Sequence, residues 1–544
     1  MESTDHSRWK KLLPPLLLFL VVLAVSLHYC LWKQGMFIDE IYTFGLSNSR
    51  YMPYIGGGSG DLLPEQLLTR EDFFDYLAVT EDEIPFDYSS VRYNQAADVH
   101  PPLHYWIINF ASSLAKGHFS KWIGLIPDLI IYLGTVLLLY VLASELFVPY
   151  LKNSGEKLQT VRQARWIAAL TALLYGLSTI GLSTMLMIRM YVLMSFFTVL
   201  LALLVLREIR NPAISCEIGI GWTICLGLMT QYYYVFYAFF LCTCTVILFL
   251  CKKQWKSLLR FSLFAFAGVV LMLLWFPAVI TQMTADKMVS GGSAIENFEN
   301  LSAWPSRLRY YFGQIRHGMP AAVLLSFFSI AGTLVALLWR TRSEEKSQKP
   351  PYSEFVVLFF PVIPTIMTAA ILSPVVEGRY IYNIMPFFAL FAGLCMCLCC
   401  TRLSFVRKPV FPAAAAMLAI ILSLRLIPSY IYEDHREYNR IVEEHATAPC
   451  IYMTEYYSPV TQDMLQLIRF ENVYICGDPS SEGLSFYLEQ NSSEECVVYI
   501  DTDGFWSSGF NPQEMLESLL ALTDYSDYIH LYKYGNSDTY LLVY

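Results

Sequence analysis

The chain contains 544 residues, of which 55% are hydrophobic and only 15% are charged, and its mean hydropathy is +0.43. A soluble protein typically carries about 25% charged residues, so this composition excludes a soluble enzyme and a disordered scaffold. The formal net charge of −9 is opposite in sign to the basic surface that binds nucleic acid. The composition therefore predicts a polytopic α-helical membrane protein.

The first apolar segment, residues 11–32, has Arg8, Lys10 and Lys11 at its N-terminal end, and no small-residue cleavage site follows it. A helix needs about 20 mainly apolar residues to cross a bilayer, and flanking Lys and Arg mark the cytoplasmic side. We interpret this segment as a retained membrane anchor with a cytoplasmic N-terminus.

Ten further spans are expected along the chain, at 123–147, 163–182, 187–206, 214–230, 232–250, 259–280, 319–339, 354–373, 380–400 and 409–428. Five loops between them contain several Lys or Arg and are expected in the cytoplasm: Lys152–Arg165, Arg207–Arg210, Lys252–Arg260, Arg340–Lys349 and Arg402–Lys408. An odd total of eleven spans places the C-terminal segment outside the cytoplasm. The sequence thus predicts a multi-pass protein of the cell membrane.

The first outer loop, residues 33–121, has 12 acidic and 6 basic side chains. Near its end lies Pro101–Ala115, which is apolar but, at about 15 residues, shorter than a helical span. Counting it as a span would move every later loop to the opposite side of the membrane, and the Lys- and Arg-rich loops would then lie outside the cytoplasm. We therefore predict a helix that lies on the outer membrane surface.

Charge also divides the chain, because residues 430–544 contain 20 acidic and 4 basic side chains, whereas residues 1–429 contain 26 and 33. This division predicts a transmembrane domain over 1–429 and an extracytoplasmic acidic α/β domain over 430–544. In the second domain, strands are expected at Cys450–Glu455, Val473–Gly477 and Cys496–Asp501, helices near 458–469, 480–490 and 511–522, and a closing hairpin at Tyr528–Tyr534 and Thr539–Tyr544.

Two adjacent carboxylates, Asp39 and Glu40, follow the first span. Carboxylates at the end of an apolar segment are costly unless they face water, a partner or a reacting group; the structural alternative is an interfacial stop signal. The same loop carries Asp98 and His100 just ahead of Pro101–Ala115. The pattern predicts a polar site at the outer surface, and a divalent cation held by Asp39, Asp98 and His100 stays an open alternative.

Two arginines, Arg189 and Arg379, lie at expected outer ends of spans, where the charge rule disfavours them. Tyr191 and Tyr380 are close to them in the chain. Snorkelling, or an ion pair with Glu377, is the structural alternative. An anion such as a lipid phosphate is the functional one, because a guanidinium offers a planar fork of donors.

Tyr232 and Tyr233 lie near the same level and indicate either an aromatic belt at the membrane surface or a platform for a sugar ring. Together with the acids and arginines they indicate a transfer reaction. A carboxylate base would accept a proton from an attacking hydroxyl, and the arginines would stabilise a departing phosphate.

These residues resemble the GT-C glycosyltransferases of family 39, in the protein O-mannosyltransferase and aminoarabinose-transferase branch. The resemblance covers roughly residues 11–428 and is carried by Asp39-Glu40, Asp98–Tyr105, Arg189-Met190-Tyr191, Thr230-Gln231-Tyr232-Tyr233, Arg379-Tyr380 and Pro386. It implies a polyprenyl-phosphate-linked sugar as donor, inversion at the anomeric carbon, and Asp39 as the general base with Glu40 orienting it or the acceptor. It also implies substrate contacts at Asp98, His100, Arg189, Tyr191, Tyr232, Tyr233, Arg379 and Tyr380.

The sequence departs from this pattern at several points. Leu125 stands where many relatives have an Arg before Ile126-Pro127, and Lys121, one helical turn earlier, is the substitute we expect. Gln231 replaces a frequent His. Because loop 281–318 is too short for the inserted luminal domain of eukaryotic relatives, a bacterial-type enzyme is favoured.

The acceptor, whether glycan, lipid or protein, does not follow from the sequence. Two other classes of membrane protein are alternatives. A transporter of lipid-linked sugars would predict inverted repeats and broken spans near the membrane centre, and the polar groups instead cluster at the outer face. A non-enzymatic sensor or assembly protein would leave the acid pair and the arginines without a role.

Overall fold

The computed structural model describes residues 2–57, 63–152, 159–284, 301–339, 352–373, 375–402, 410–502 and 512–544. The chain divides into two compact units. The membrane unit comprises the residues up to Leu31, Val99–His104 and Leu125–Ser429, and the sheet unit comprises Trp32–Asp98, Tyr105–Gly124 and Tyr430–Tyr544.

Helices account for most of the chain, with 24 of them in the described residues. In chain order they are α1 Glu2–Trp32, α2 Ile38–Asn48, α3 Arg70–Leu77, α4 Tyr88–Ala97, α5 Leu103–Leu114, α6 Lys121–Lys152, α7 Gln159–Gly176, α8 Thr179–Leu186, α9 Tyr191–Arg210, α10 Ile214–Leu228, α11 Tyr234–Cys251, α12 Trp255–Trp275, α13 Ala278–Thr284, α14 Trp304–Gly318, α15 Pro320–Trp339, α16 Tyr352–Phe359, α17 Val362–Leu372, α18 Met385–Arg402, α19 Val410–Arg425, α20 His435–Glu444, α21 Tyr457–Gln462, α22 Met464–Leu467, α23 Glu482–Gln490 and α24 Pro512–Leu522. Short 3₁₀ segments occur at Ile55–Gly57, Leu301–Ala303 and Gly378–Ile384.

Seven helical segments of the described chain are long and apolar enough to cross a membrane, and nine if each of two bent pairs is one span. The remaining two expected spans coincide with α10 and α19, helices of 15 and 16 residues. Every expected span therefore corresponds to a helix or a bent pair. A multi-pass helical membrane protein is confirmed, while the count of eleven and the orientation stay predictions.

The two bent pairs have identifiable causes. Helices α7 and α8 meet at 58°, and the Gly181 amide at the start of α8 donates to Ser178 Oγ at 3.0 Å, as an N-terminal cap does. Helices α14 and α15 meet at 90°, and Pro320 begins α15, where a proline without an N–H is tolerated.

The sheet unit is built around six strands in the order β1-β3-β2-β4-β6-β5. Their bounds are β1 Gln66–Thr69, β2 Cys450–Met453, β3 Asn472–Cys476, β4 Glu495–Asp501, β5 Asp527–Tyr534 and β6 Ser537–Val543. Strand β2 pairs in parallel with both β3 and β4 and is buried along its whole length, as expected of a central parallel strand. β5 and β6 form the predicted hairpin, in which Gly535 takes a positive φ of 53°.

The three expected strands and the closing hairpin are confirmed to within one or two residues. The sequence reading missed β1, which comes from the first outer loop and pairs antiparallel with β3. Four residues with no marked alternation carry too little signal for a strand. The compact units thus divide the chain differently from the predicted domains, since most of 33–121 folds with 430–544.

Candidate active site

Helix α2 carries the acid pair in its first turn. The helix begins at Ile38 because Phe37 is extended, with φ −73° and ψ 151°, and the Phe37 amide donates to Glu40 Oε2 at 2.6 Å. A carboxylate in this position also interacts favourably with the helix dipole. Asp39 is half-buried in the same turn, and its carbonyl oxygen accepts from Thr43 Oγ1 at 2.9 Å.

Glu40 forms an ion pair inside the sheet unit. Lys33 Nζ donates to Glu40 Oε2 at 3.0 Å, and both side chains are 0% exposed. Such a pair is stable only when further hydrogen bonds satisfy both charges. The Lys33 ammonium group also donates to the Tyr430 carbonyl at 2.7 Å and lies 5.5 Å from the ring centre of Tyr432.

Helix α2 is held by close packing on its other side. The ring of Tyr76 lies so close to Gly45 that a Cβ there would come within 3.0 Å of it. Leu46 packs on Val91 of α4 and Tyr105 of α5. The first turn of α2 therefore sits on a rigid support, which is what a site of defined geometry needs.

A cluster of tyrosine rings packs around Tyr42, which follows the acid pair in α2. Tyr42 makes edge contacts with Tyr54 and Tyr457, which stack on each other with ring centres 4.5 Å apart. Burial, followed by the neighbouring Tyr457 and Tyr76, raises the pKa of Tyr42 well above its usual value. Tyr42 is therefore a neutral hydroxyl, able to donate or accept a hydrogen bond but not to act as a phenolate base.

Asp98 and Lys121 also lie in the sheet unit. Asp98 caps the C-terminal end of α4, where its amide donates to the Asn94 carbonyl at 3.0 Å. The pKa of Tyr76 is raised well above its usual value, mainly by burial, then by the neighbouring Tyr54, and then by the charge of Asp98. Lys121 Nζ donates to the Lys33 carbonyl, so Lys121 belongs to the surroundings of the Lys33–Glu40 pair.

The membrane unit contains His100 and, four residues later, a buried pair that the sequence reading missed. His104 Nε2 lies 3.0 Å from Asp128 Oδ1, and both side chains are 0% exposed. Asp128 follows Pro127 in α6, so the contact connects the 99–104 segment to a spanning helix. An ionisable residue in an apolar helix is a signal that could have indicated it.

Arg189 lies in the short connection between α8 and α9 and is 4% exposed. Its amide donates to the Met187 carbonyl at 2.6 Å. Tyr191 begins α9, and its ring contacts that of Tyr382 edge-on at 6.2 Å. This contact joins the segment that carries Arg189 to the 3₁₀ segment that carries Arg379.

Arg379 and Tyr380 are neighbours in that 3₁₀ segment, and the Arg379 guanidinium carbon lies 6.0 Å from the ring centre of Tyr380. The Tyr380 ring stacks on Tyr233 with centres 4.3 Å apart and planes 3° apart. Tyr232 instead donates to the side chain of Gln282 in α13. The structure thus brings together the segments of Arg189, Tyr233 and Arg379.

Eight of the eleven predicted site residues therefore fall into two groups, one in each unit. The sheet-unit group is Asp39, Glu40 and Lys121, with Lys33 added by the structure, and the membrane-unit group is Arg189, Tyr191, Tyr233, Arg379 and Tyr380. No three His, Cys, Asp or Glu within the described ranges are arranged to hold a metal ion. The roles assigned to these residues stay predictions.

These features define a polytopic α-helical membrane protein with a small α/β sheet. The crystal structure of ArnT from Cupriavidus metallidurans bound to undecaprenyl phosphate is similar over 97% of both chains, at 11% identity and a TM-score of 0.53. The crystal structure of the same ArnT in the apo state has a TM-score of 0.49 at 11% identity, again over 97% of both chains. The apo oligosaccharyltransferase of Archaeoglobus fulgidus scores 0.43 at 9% identity, over 89% of this chain and 69% of that one.

The similarity to the ligand-bound ArnT structure establishes the fold, and it confirms the GT-C-like fold expected from the sequence. No protein-family profile matches the chain. No curated protein sequence matches it either.

Proposed function

We propose that the protein is a membrane glycosyltransferase that moves a sugar from a polyprenyl-phosphate carrier to a hydroxyl group outside the cytoplasm. The observation that carries this proposal is the fold similarity, over 97% of both chains, to an ArnT structure that holds undecaprenyl phosphate. The acceptor class is a glycan, a lipid or a protein.

The donor assignment is supported by the membrane-unit group. Arg189 is almost fully buried, and a buried guanidinium is retained where it meets an anion or a dense set of acceptors. Arg379 has Tyr380 beside it, and Tyr380 stacks on Tyr233. Guanidinium groups bind phosphate through a planar fork, and a tyrosine hydroxyl can hydrogen-bond a phosphate or a sugar.

The reaction assigned to the sheet-unit group is a single displacement with inversion. The Asp39 carboxylate accepts the proton of the acceptor hydroxyl, whose oxygen then forms a bond to the anomeric carbon. The bond between that carbon and the phosphate oxygen breaks, and polyprenyl phosphate leaves with the bonding electron pair. Arg189 and Arg379 stabilise the growing negative charge on the phosphate.

Glu40 has a narrower role than the one the resemblance implies. Its carboxylate is buried, paired with Lys33 and bonded to the Phe37 amide. We therefore assign Glu40 to holding the first turn of α2 in place, so that Asp39 keeps a fixed position.

The experiment is a transfer assay with the full chain in lipid nanodiscs and a panel of polyprenyl-phosphate sugars. Release of polyprenyl phosphate by the wild type and a loss of about 10²- to 10⁴-fold in Asp39→Asn, the range for a removed general base, would support the proposal. Parallel reactions with a chelator test the divalent-cation alternative. Binding of the carrier without turnover of any sugar would contradict the transferase assignment.

A further inference from the structure

The five residues 33–37 connect the first span to α2 and immediately precede the Asp39–Glu40 pair. Residues of the C-terminal segment contact most of this linker. The Gln34 amide donates to the Ile431 carbonyl at 2.8 Å, and Lys33 Nζ donates to the Tyr430 carbonyl at 2.7 Å. The Tyr534 hydroxyl reaches the Met36 carbonyl at 3.4 Å.

The C-terminal side of this contact has an unusual backbone. Tyr430 and Tyr432 take φ angles of 71° and 54°, a left-handed conformation that is costly for bulky residues and persists only when surrounding contacts determine it. These two residues flank Ile431, so the left-handed turns present consecutive carbonyl groups, of Tyr430 and Ile431, to Lys33 and Gln34. The strain coincides with the hydrogen bonds to the linker.

The buried ring of His435 also packs against the linker, at Gly35. It is 1% exposed, and an edge contact to Tyr534 places the ring centres 4.4 Å apart. A Cβ added to Gly35 would come within 3.0 Å of three ring atoms of His435, so only glycine fits there. Burial, followed by the nearby Lys33, lowers the pKa of His435 to about 4, so the ring is neutral near pH 7.

We propose that residues 430–435, with Tyr534, form a positioning segment for Asp39, the proposed general base: they bind the linker 33–37 and so fix the first turn of α2. This inference rests on the proposed transferase function and gives the C-terminal α/β region a task in it. The region acts through the linker rather than by touching the substrate. A displacement of about 1 Å in a catalytic group can cost on the order of 100-fold in rate, so the contact controls turnover.

The test uses steric complementation in the full chain. Gly35→Ala forces the linker away from His435 and is expected to lower kcat by roughly 10- to 100-fold with the KM for the carrier changed less than twofold. Gly35→Ala combined with His435→Ala makes room for the added methyl group and is expected to recover most of kcat. Gly313→Ala is the matched control, because a Cβ there meets nothing within 4 Å.

A second readout does not depend on activity. Hydrogen–deuterium exchange of the amides in 36–44 should be faster in Gly35→Ala than in the wild type and return toward wild type in the double variant. The positioning role would be overturned if Gly35→Ala kept the wild-type kcat or changed only KM. It would also be overturned if the double variant had a kcat as low as that of Gly35→Ala. If the wild type transfers no sugar, the proposed function fails, and unchanged exchange in Gly35→Ala would then refute the linker contact separately.

Discussion

At the scale of single residues, the guanidinium groups of the membrane unit have the most specific chemistry. Arg379 lies on a 3₁₀ segment whose ring contacts reach Tyr191 and Tyr233. If Arg379 binds the carrier phosphate, both its charge and its fork of hydrogen-bond donors should contribute to binding. A lysine at this position would supply only the charge. The structural alternative, an ion pair with Glu377, makes a different forecast.

For Arg379 we expect kcat/KM for the carrier to fall in the order wild type, Arg379→Lys, Arg379→Ala. Loss of a charged hydrogen bond of about 1.5–3 kcal/mol corresponds to roughly 10- to 150-fold in the alanine variant. Arg316 is an exposed arginine on α14, and Arg316→Ala is the control, which should leave kcat/KM unchanged. Unchanged carrier binding in Arg379→Ala, with equal losses of melting temperature in Arg379→Ala and Glu377→Ala, would favour the ion pair instead.

The Lys33–Glu40 pair allows a prediction about stability. Lys33→Met removes a buried cationic partner of the Glu40 carboxylate and should destabilise the protein by about 3–5 kcal/mol, whereas Lys33→Met with Glu40→Gln removes both charges and should recover most of that loss. Thermal unfolding of the three proteins in the same detergent measures the difference. Equal melting temperatures for the single and the double variant would show that the charge of Glu40 is not what destabilises Lys33→Met.

At the scale of elements, the sheet unit contains another buried acid, Asp463, that serves no proposed catalytic step. The Tyr452 hydroxyl on β2 donates to Asp463 Oδ2 at 2.7 Å. Burial raises the pKa of Asp463 to about 7, with the charge of Asp501 acting in the same direction. Asp463 therefore binds a proton in the folded state over a pH range in which the unfolded chain has lost it.

This difference predicts a pH dependence with a definite sign. The folded state holds the extra proton between about pH 4 and pH 7, so the contribution of Asp463 to stability falls as pH rises through that range. The melting temperature of the wild type should decrease from pH 5 to pH 8 by more than that of Asp463→Asn. His435, with its lowered pKa, has the opposite slope below pH 6.5 but is present in both proteins, so the comparison isolates Asp463; parallel curves would contradict the assignment.

At the scale of the whole molecule, orientation in the membrane is the main open prediction. Eleven spans with a cytoplasmic N-terminus place residues 430–544 outside. In a Cys251→Ser background, which removes an exposed native thiol, Glu517→Cys should react with an impermeant maleimide in intact cells. Lys256→Cys, in an expected cytoplasmic loop, should react only after permeabilisation. The reverse labelling pattern would show that the chain has the opposite orientation in the membrane.

The amino-acid sequence by itself determined the membrane class, the positions of the apolar helices and the strands of the C-terminal region. These follow from local signals, namely apolar runs of span length, Lys and Arg in alternate loops, and short buried β-branched runs ending in a Gly-Asn turn. Asp39, Arg189 and Arg379 were predicted as site residues in the same way, because each breaks a local charge rule, and their roles stay predictions.

Only the tertiary structure decided what surrounds those residues. Lys33 is an ordinary flanking lysine in the sequence, and its burial against Glu40 depends on the Tyr430 carbonyl, almost 400 positions later. Strand β1 has no signal of its own and exists because β3 offers an unpaired edge. The contact between His435 and Gly35 likewise joins residues from opposite ends of the chain, and such pairings depend on packing, which no local pattern records.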